Sequence, residues 1–183
     1  MTRAFVAVRV PESVLDAVDE RLADLAVPGR RTTRAQWHLT LQFLGDGADI
    51  DEVAAALEGI AGAPGQARVG GAGAFPDARR ALVLWLGLAE GSALLARLAE
   101  AVGERLAPLG YEVDPRPFQP HLTLARLRAP TDVRLTITAF GDIAIGPGWE
   151  VDALTVYESR LRSDGAEYAE RATIRVRPES PNT

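Results

Sequence analysis

His38-Leu39-Thr40-Leu41 and His121-Leu122-Thr123-Leu124 are the same tetrapeptide, and between them they hold both histidines of a 183-residue chain. At ordinary abundances of leucine and threonine, Leu-Thr-Leu follows a given residue by chance roughly once in 1000, so composition does not explain the repetition. Each copy lies in a short apolar run that reads as a strand, residues 37–44 and 121–125. Side chains two apart on a strand share a face. His38 and Thr40 therefore point one way while Leu39 and Leu41 point the other, and His121 and Thr123 stand in the same relation to Leu122 and Leu124. If the leucines pack under helices, the four polar groups face outward or into a groove. A duplicated fold can bring those two faces together across a pseudo-twofold axis.

The flanking sequence supports such a duplication, because a helical pattern precedes each copy. Residues 4–8 read as a buried strand. A helix is expected over 11–27, with Pro11 at its first position and Val14, Leu15, Val18, Leu22 and Leu25 on one face. Asp49, followed three residues later by Glu52, predicts the start of a second helix that fades at 59–62. Residues 66–74 are weakly and 81–86 strongly strand-like. The turn-like 75–80 between them predicts antiparallel neighbours. Ser92 is expected to cap a third helix running to about Leu106, with Gly110 near its end. Residues 129–148 are ambiguous, since Val133, Leu135, Ile137 and Ala139 alternate while Gly and Pro break the run, and no element is assigned. Strands follow at 151–158 and 168–176, joined by a turn at Ser163-Asp164-Gly165, and the tail from Pro178 is expected to fray. Strands joined by short turns with helices interspersed predict an α+β fold with mostly antiparallel sheets. No linker divides the chain, so residues 1–183 are expected to form one domain with two lobes.

Composition narrows the chemistry. With no cysteine, disulfides, thiolate nucleophiles and Cys-ligated metal centres are excluded. The net charge of -5 argues against a global field recruiting long nucleic acid, although a local positive cleft is compatible with it. Every basic residue is arginine, which discounts arginine clusters as a binding signal. No apolar stretch is long enough for a bilayer. The apolar run after Met1-Thr2-Arg3 is cut short by Arg9 and Pro11, so no secretion signal is read and a cytoplasmic location is expected.

Two imidazoles and two hydroxyls in one cleft suit phosphodiester chemistry. One histidine can activate the attacking oxygen while the other, protonated, gives its proton to the leaving oxygen. An ordinary pKa of about 6.5 lets both forms exist near neutrality. The hydroxyls of Thr40 and Thr123 can donate to phosphate oxygens where charge develops. A lone strand histidine is usually structural and a strand threonine usually reflects β-propensity, but packing does not call for one tetrapeptide at the only two histidines. A metal site would need a third ligand, and no motif supplies it.

On these residues the chain resembles the 2H phosphoesterases, and among them the bacterial RNA 2',3'-cyclic phosphodiesterases also called 2'-5' RNA ligases. The likeness extends to the opening 3–8, to Phe75-Pro76 through Arg80 and on to Trp85-Leu86-Gly87, to Gln119-Pro120 with Arg126 around the second motif, and to the late run Leu154 to Ser159 with Gly165 and Tyr168. The resemblance implies a bilobal fold of two antiparallel sheets around a cleft, no metal and no cofactor, and hydrolysis of RNA terminal 2',3'-cyclic phosphates to 2'-phosphates. By motif, His38 is expected to donate a proton to the departing 3' oxygen and His121 to accept one from water. Thr40, Thr123 and Arg126 are expected to hold the phosphate. The reverse 2'-5' joining is also implied. The expected partners are RNA 2',3'-cyclic phosphate ends, with no membrane and a monomeric protein. Strict alternation turns Arg126 away from His121, a conflict that a strand end or bulge after Leu124 would remove. Arg30, Arg31, Arg34, Arg79 and Arg80 are weaker rim candidates, and Phe43, Phe118, Trp37 and Tyr157 are read first as core. A 2H enzyme for a small nucleotide and a non-catalytic RNA-end-binding protein are the alternative readings.

Overall fold

The computed structural model describes residues 3–62, 65–162 and 165–177. The expected turn at 163–164 and the tail from Pro178 lie outside them. Nine strands and four α-helices follow one another as β1 (Arg3–Arg9), α1 (Glu12–Ala23), β2 (Arg30–Arg31), β3 (His38–Asp46), α2 (Ile50–Leu57), β4 (Gly65–Phe75), β5 (Ala81–Glu90), α3 (Ser92–Leu106), β6 (Leu122–Thr131), α4 (Arg134–Phe140), β7 (Ala144–Val151), β8 (Ala153–Arg162) and β9 (Gly165–Arg175). They build two sheets, ordered β3-β1-β8-β9 and β2-β6-β5-β4-β7. Every pairing within them is antiparallel. The first motif lies in the four-stranded sheet and the second in the five-stranded sheet.

One hydrophobic core runs through both sheets and the helices, from Val6, Leu39 and Val156 to Leu84, Leu122 and Val69. The helices exchange sheets. Although α1 follows a strand of the four-stranded sheet, it packs on β7 of the other, while α3, which follows β5, packs on β3. Leu39, Leu41, Leu122 and Leu124 all enter this core, as the motif reading required.

Several local expectations are corrected. Helix α1 ends at Ala23 with Asp24 as its C-cap, and Pro11 is its N-cap rather than its first residue. Leu25 and Val27 still pack on the core, which explains why the apolar pattern ran past the helix. Ser92 is the first residue of α3 and makes no capping bond; the cap is Gly91, at φ 92°. Asp49 does cap α2, accepting from the Asp51 and Glu52 amides. The unassigned stretch contains α4. There Val133 and Phe140 are buried and Ile137 partly so, at i, i+4 and i+7, whereas Leu135 is 87% exposed. Arg21 of α1 caps the far end of α4, donating to the carbonyls of Ala139 (2.6 Å) and Phe140 (3.1 Å).

Candidate active site

His38 opens β3 after a single 3-10 turn, Arg34–Gln36, whose capping box joins Thr33 and Gln36. The Gln36 backbone carbonyl hydrogen-bonds the His38 ring. The Gln36 side chain donates to the Ala166 carbonyl at 2.7 Å, which ties this turn to β9. Under His38 lies an aromatic floor formed by the cleft-side residues of three strands. Phe5 stacks on the imidazole with centroids 4.6 Å apart, and Tyr168 meets it edge-on at 5.0 Å. Tyr157 lies 5.8 Å away and donates through its hydroxyl to Glu170 at 3.3 Å.

His121 repeats the arrangement in the other sheet. Its Nδ1 lies 2.8 Å from the Gln119 carbonyl. A carbonyl can only accept, so Nδ1 carries the proton and Nε2 keeps its lone pair. Phe75 meets the ring edge-on at 4.9 Å, and Trp85 lies 6.0 Å away. The Trp85 indole covers Gly73 so closely that a Cβ there would come within 2.3 Å of it. The duplicated motif is therefore longer than the tetrapeptide: it is Gln-x-His-Leu-Thr-Leu, residues 36–41 and 119–124, with each histidine oriented by the carbonyl two residues before it. Both glutamines stand in the sequence, and only their backbone role had to wait for the fold.

Beyond each Leu-Thr-Leu the strand slips by one residue. In β3 the register passes from Ala7↔Thr40 to Val6↔Gln42, and in β6 from Trp85↔Thr123 to Leu84↔Ala125. The bulge leaves two adjacent residues buried, Leu41 with Gln42 and Leu124 with Ala125. Alternation is thereby rephased, and the residue five places after each histidine turns to the histidine's side. In β6 that residue is Arg126, which resolves the conflict noted from strict alternation. In β3 it is Phe43, 68% exposed and 6.1 Å from Phe5.

The two faces meet. The charge of His121 acts on His38, and Arg126 acts on His38, His121 and Tyr168 alike. Thr40 and Thr123, half-buried, stand two residues from their histidines on the same faces. Burial is the main cause that pushes His38 down to about 4, with the charges of His121 and Arg126 adding to it and the Gln36 carbonyl opposing it. His121 is lowered too, chiefly by burial. Both rings are neutral at pH 7 while no anion is present. Burial also lifts the Tyr157 hydroxyl to about 12, so it stays a donor.

The strap between α1 and His38 fastens the halves. Arg30 and Arg31 pair with Arg126 and Ala125 as strand β2, and Thr32 donates through its amide and hydroxyl to the Leu124 carbonyl (2.8 and 2.9 Å) and through the hydroxyl to Thr123 (2.6 Å). The Trp37 indole in turn donates to the Thr32 hydroxyl. Of the rim candidates, Arg34 does not face the cleft; it binds Glu12, Asp16 and Asp19 of α1. Arg79 and Arg80 lie on the exposed β4–β5 turn. Trp37 is core as expected, Phe118 packs partly on the core, and Tyr157 belongs to the aromatic floor. Among the described residues no group of three or more His, Asp or Glu side chains is arranged to hold a metal.

Comparison with known proteins agrees with this architecture. A family model for the 2'-5' RNA ligase superfamily matches residues 9–162. The chain belongs to that superfamily. The RNA 2',3'-cyclic phosphodiesterase of Aquifex aeolicus is 32% identical over 178 residues, covering 92% of this chain and 94% of the relative. The crystal structure of TT0787 from Thermus thermophilus superposes with a TM-score of 0.78 at 28% identity, over 97% of this chain and 100% of the other. Escherichia coli LigT complexed with 3'-AMP shares the fold with a TM-score of 0.76 at 24% identity, over 96% and 98%. The superfamily match lies within the 2H phosphoesterases that the two histidine motifs resemble, and the two-sheet α+β fold is the one expected of them.

Proposed function

We propose that this protein hydrolyses RNA terminal 2',3'-cyclic phosphates to 2'-phosphates, with His38 and His121 as acid and base and without a metal. The observation that carries the reading is the pair of imidazoles, each aimed by a carbonyl two residues upstream and both within the field of Arg126. A monoanionic cyclic phosphate seated between them meets Arg126 and the hydroxyls of Thr40 and Thr123, which donate to its non-bridging oxygens as charge builds.

In the step itself, water attacks phosphorus opposite the 3' oxygen. Nε2 of His121 takes the water proton, the P–O3' bond breaks, and protonated His38 delivers a proton to O3'. The products are a 2'-phosphate and a free 3' hydroxyl. With a 5' hydroxyl in the place of water, the same step gives 2'-5' joining: His121 takes the hydroxyl proton, the P–O3' bond breaks and His38 protonates O3'. His38 holds little proton at rest, because burial keeps it neutral. The substrate anion supplies the compensating charge, so binding and proton uptake by His38 are coupled. Phe43, opposite Arg126 in the pseudo-symmetry, offers a ring on which the terminal base can stack. The names of the relatives, RNA 2',3'-cyclic phosphodiesterase, support this substrate class.

The test is release of a 2'-phosphate end from an RNA ending in a cyclic phosphate, with EDTA present. His38→Ala and His121→Ala should each lose at least about 100-fold in rate. Near-full activity in either variant removes that histidine from the mechanism.

A further inference from the structure

Two glycines stand inside strands where the backbone does not ask for them. Gly73 in β4 and Gly87 in β5 lie outside the left-handed region, and a glycine within a strand weakens it. Both make room for one ring. A Cβ on Gly73 would come within 2.3 Å of the Trp85 indole, and a Cβ on Gly87 within 3.3 Å of it. No hydrogen bond draws the ring there, since its N–H is buried and meets no acceptor among the described residues. An unpaired buried donor is a second cost laid on the same spot.

Strand register shows what the two costs secure. Trp85 lies directly between Gly73 on β4 and Thr123 on β6. Cross-strand partners share a face, so a ring as large as indole leans over one of them. With glycine at 73 it leans that way and keeps clear of Thr123. In that position it meets Phe75 with centroids 5.2 Å apart, and Phe75 in turn stands edge-on to the His121 ring at 4.9 Å.

We propose that Trp85 is a positioning residue: folded over Gly73 and Gly87, it fixes Phe75 as a wall against the flank of His121, shuts water from that flank and stays out of the phosphate's place at Thr123. The effect on rate rests on the proposed activity, whereas the wall itself does not. Burial is the main cause that holds His121 below the ordinary imidazole value, with the Gln119 carbonyl opposing it and the charge of Arg126 adding to it. Arg126 on the same strand and His38 across the cleft are the charged and titratable groups coupled to His121, and substitutions at 73 or 85 leave both in place. Opening the wall therefore moves His121 up toward 6.5.

The chain has two histidines, so NMR reads two imidazole titrations, and His38→Gln assigns them. In Gly73→Ala the added methyl displaces the indole. The His121 titration should rise by about half a pH unit or more while that of His38 stays where it was. On an RNA ending in a cyclic phosphate, kcat should fall at least about tenfold. Phenylalanine lacks the outer ring atoms that the new methyl meets, so the double variant Gly73→Ala/Trp85→Phe should regain about threefold or more in kcat over Gly73→Ala. A folded Gly73→Ala with unchanged kcat and an unchanged His121 titration overturns the wall, as does a double variant no better than the single one. A shift of both imidazole titrations together also overturns it, because general loosening does that. Should Gly73→Ala not fold, Trp85→Phe alone carries the test: its smaller ring should raise the His121 titration, and an unmoved titration overturns the proposal. Wild-type protein inactive on the cyclic phosphate sinks the proposed activity, while the two titrations still judge the wall.

Discussion

His38 combines a buried ring with the proton-transfer role proposed for it, and that combination has a measurable cost. Its folded form takes a proton only near 4, whereas the unfolded chain takes one near 6.5. Between those values the unfolded state binds more protons, so stability falls as pH falls, by about 3 kcal/mol at most. Urea unfolding of wild type and His38→Gln at pH 7 and pH 4.5 should show this loss in wild type and a smaller one in the variant. Equal losses would mean that burial of the ring does not govern its titration. The same sign predicts that kcat/KM, which reports the free protein, has its optimum on the acid side of 6.5, while kcat shifts alkaline once the bound anion stabilises the protonated ring. Thr40→Ala and Thr123→Ala should each cost about 2 to 4 kcal/mol in kcat/KM if the hydroxyls meet developing charge. Phe43→Ala should act mainly through KM on RNA, since stacking is made equally in ground and transition states.

At the scale of elements, the two matched bulges do what the tetrapeptides alone do not. They break alternation at the same place in β3 and β6 and so turn Phe43 and Arg126 toward the histidines. The 3-10 turn before His38 is equally placed: its Gln36 side chain joins the Thr33 amide to the Ala166 carbonyl. Gln36→Ala leaves the carbonyl that orients His38 but removes both ties, and is expected to cost about 1 to 2 kcal/mol of stability with a fall in kcat. A thermal melt together with kcat at saturation checks it, and loss of neither would make the side chain dispensable. The helix α4 was illegible because Val133, Leu135, Ile137 and Ala139 alternate as on a strand while Val133, Ile137 and Phe140 follow a helical period. Only the contact of Val133 and Phe140 with the core decides between the two.

Across the whole molecule, helices that cross to the opposite sheet and a strap sewn onto β6 leave the lobes no separate cores. We therefore expect one cooperative transition, with far-UV circular dichroism and tryptophan fluorescence giving coincident unfolding curves; two resolved transitions would show that the lobes fold independently. The repeated tetrapeptide by itself determined the two strands, the inward leucines and the outward His-Thr pairs, because strand periodicity is a local property written in adjacent residues; the family came from the resemblance of both motifs and their flanks to the 2H phosphoesterases. Residue spacing could not say that the polar faces oppose each other, that Arg34 is spent on α1 while Arg126 is turned to the histidines, or that Arg30 is laid beside it. Those facts depend on strand register and on contacts between segments nearly a hundred residues apart, which packing of the common core selects and no local pattern encodes.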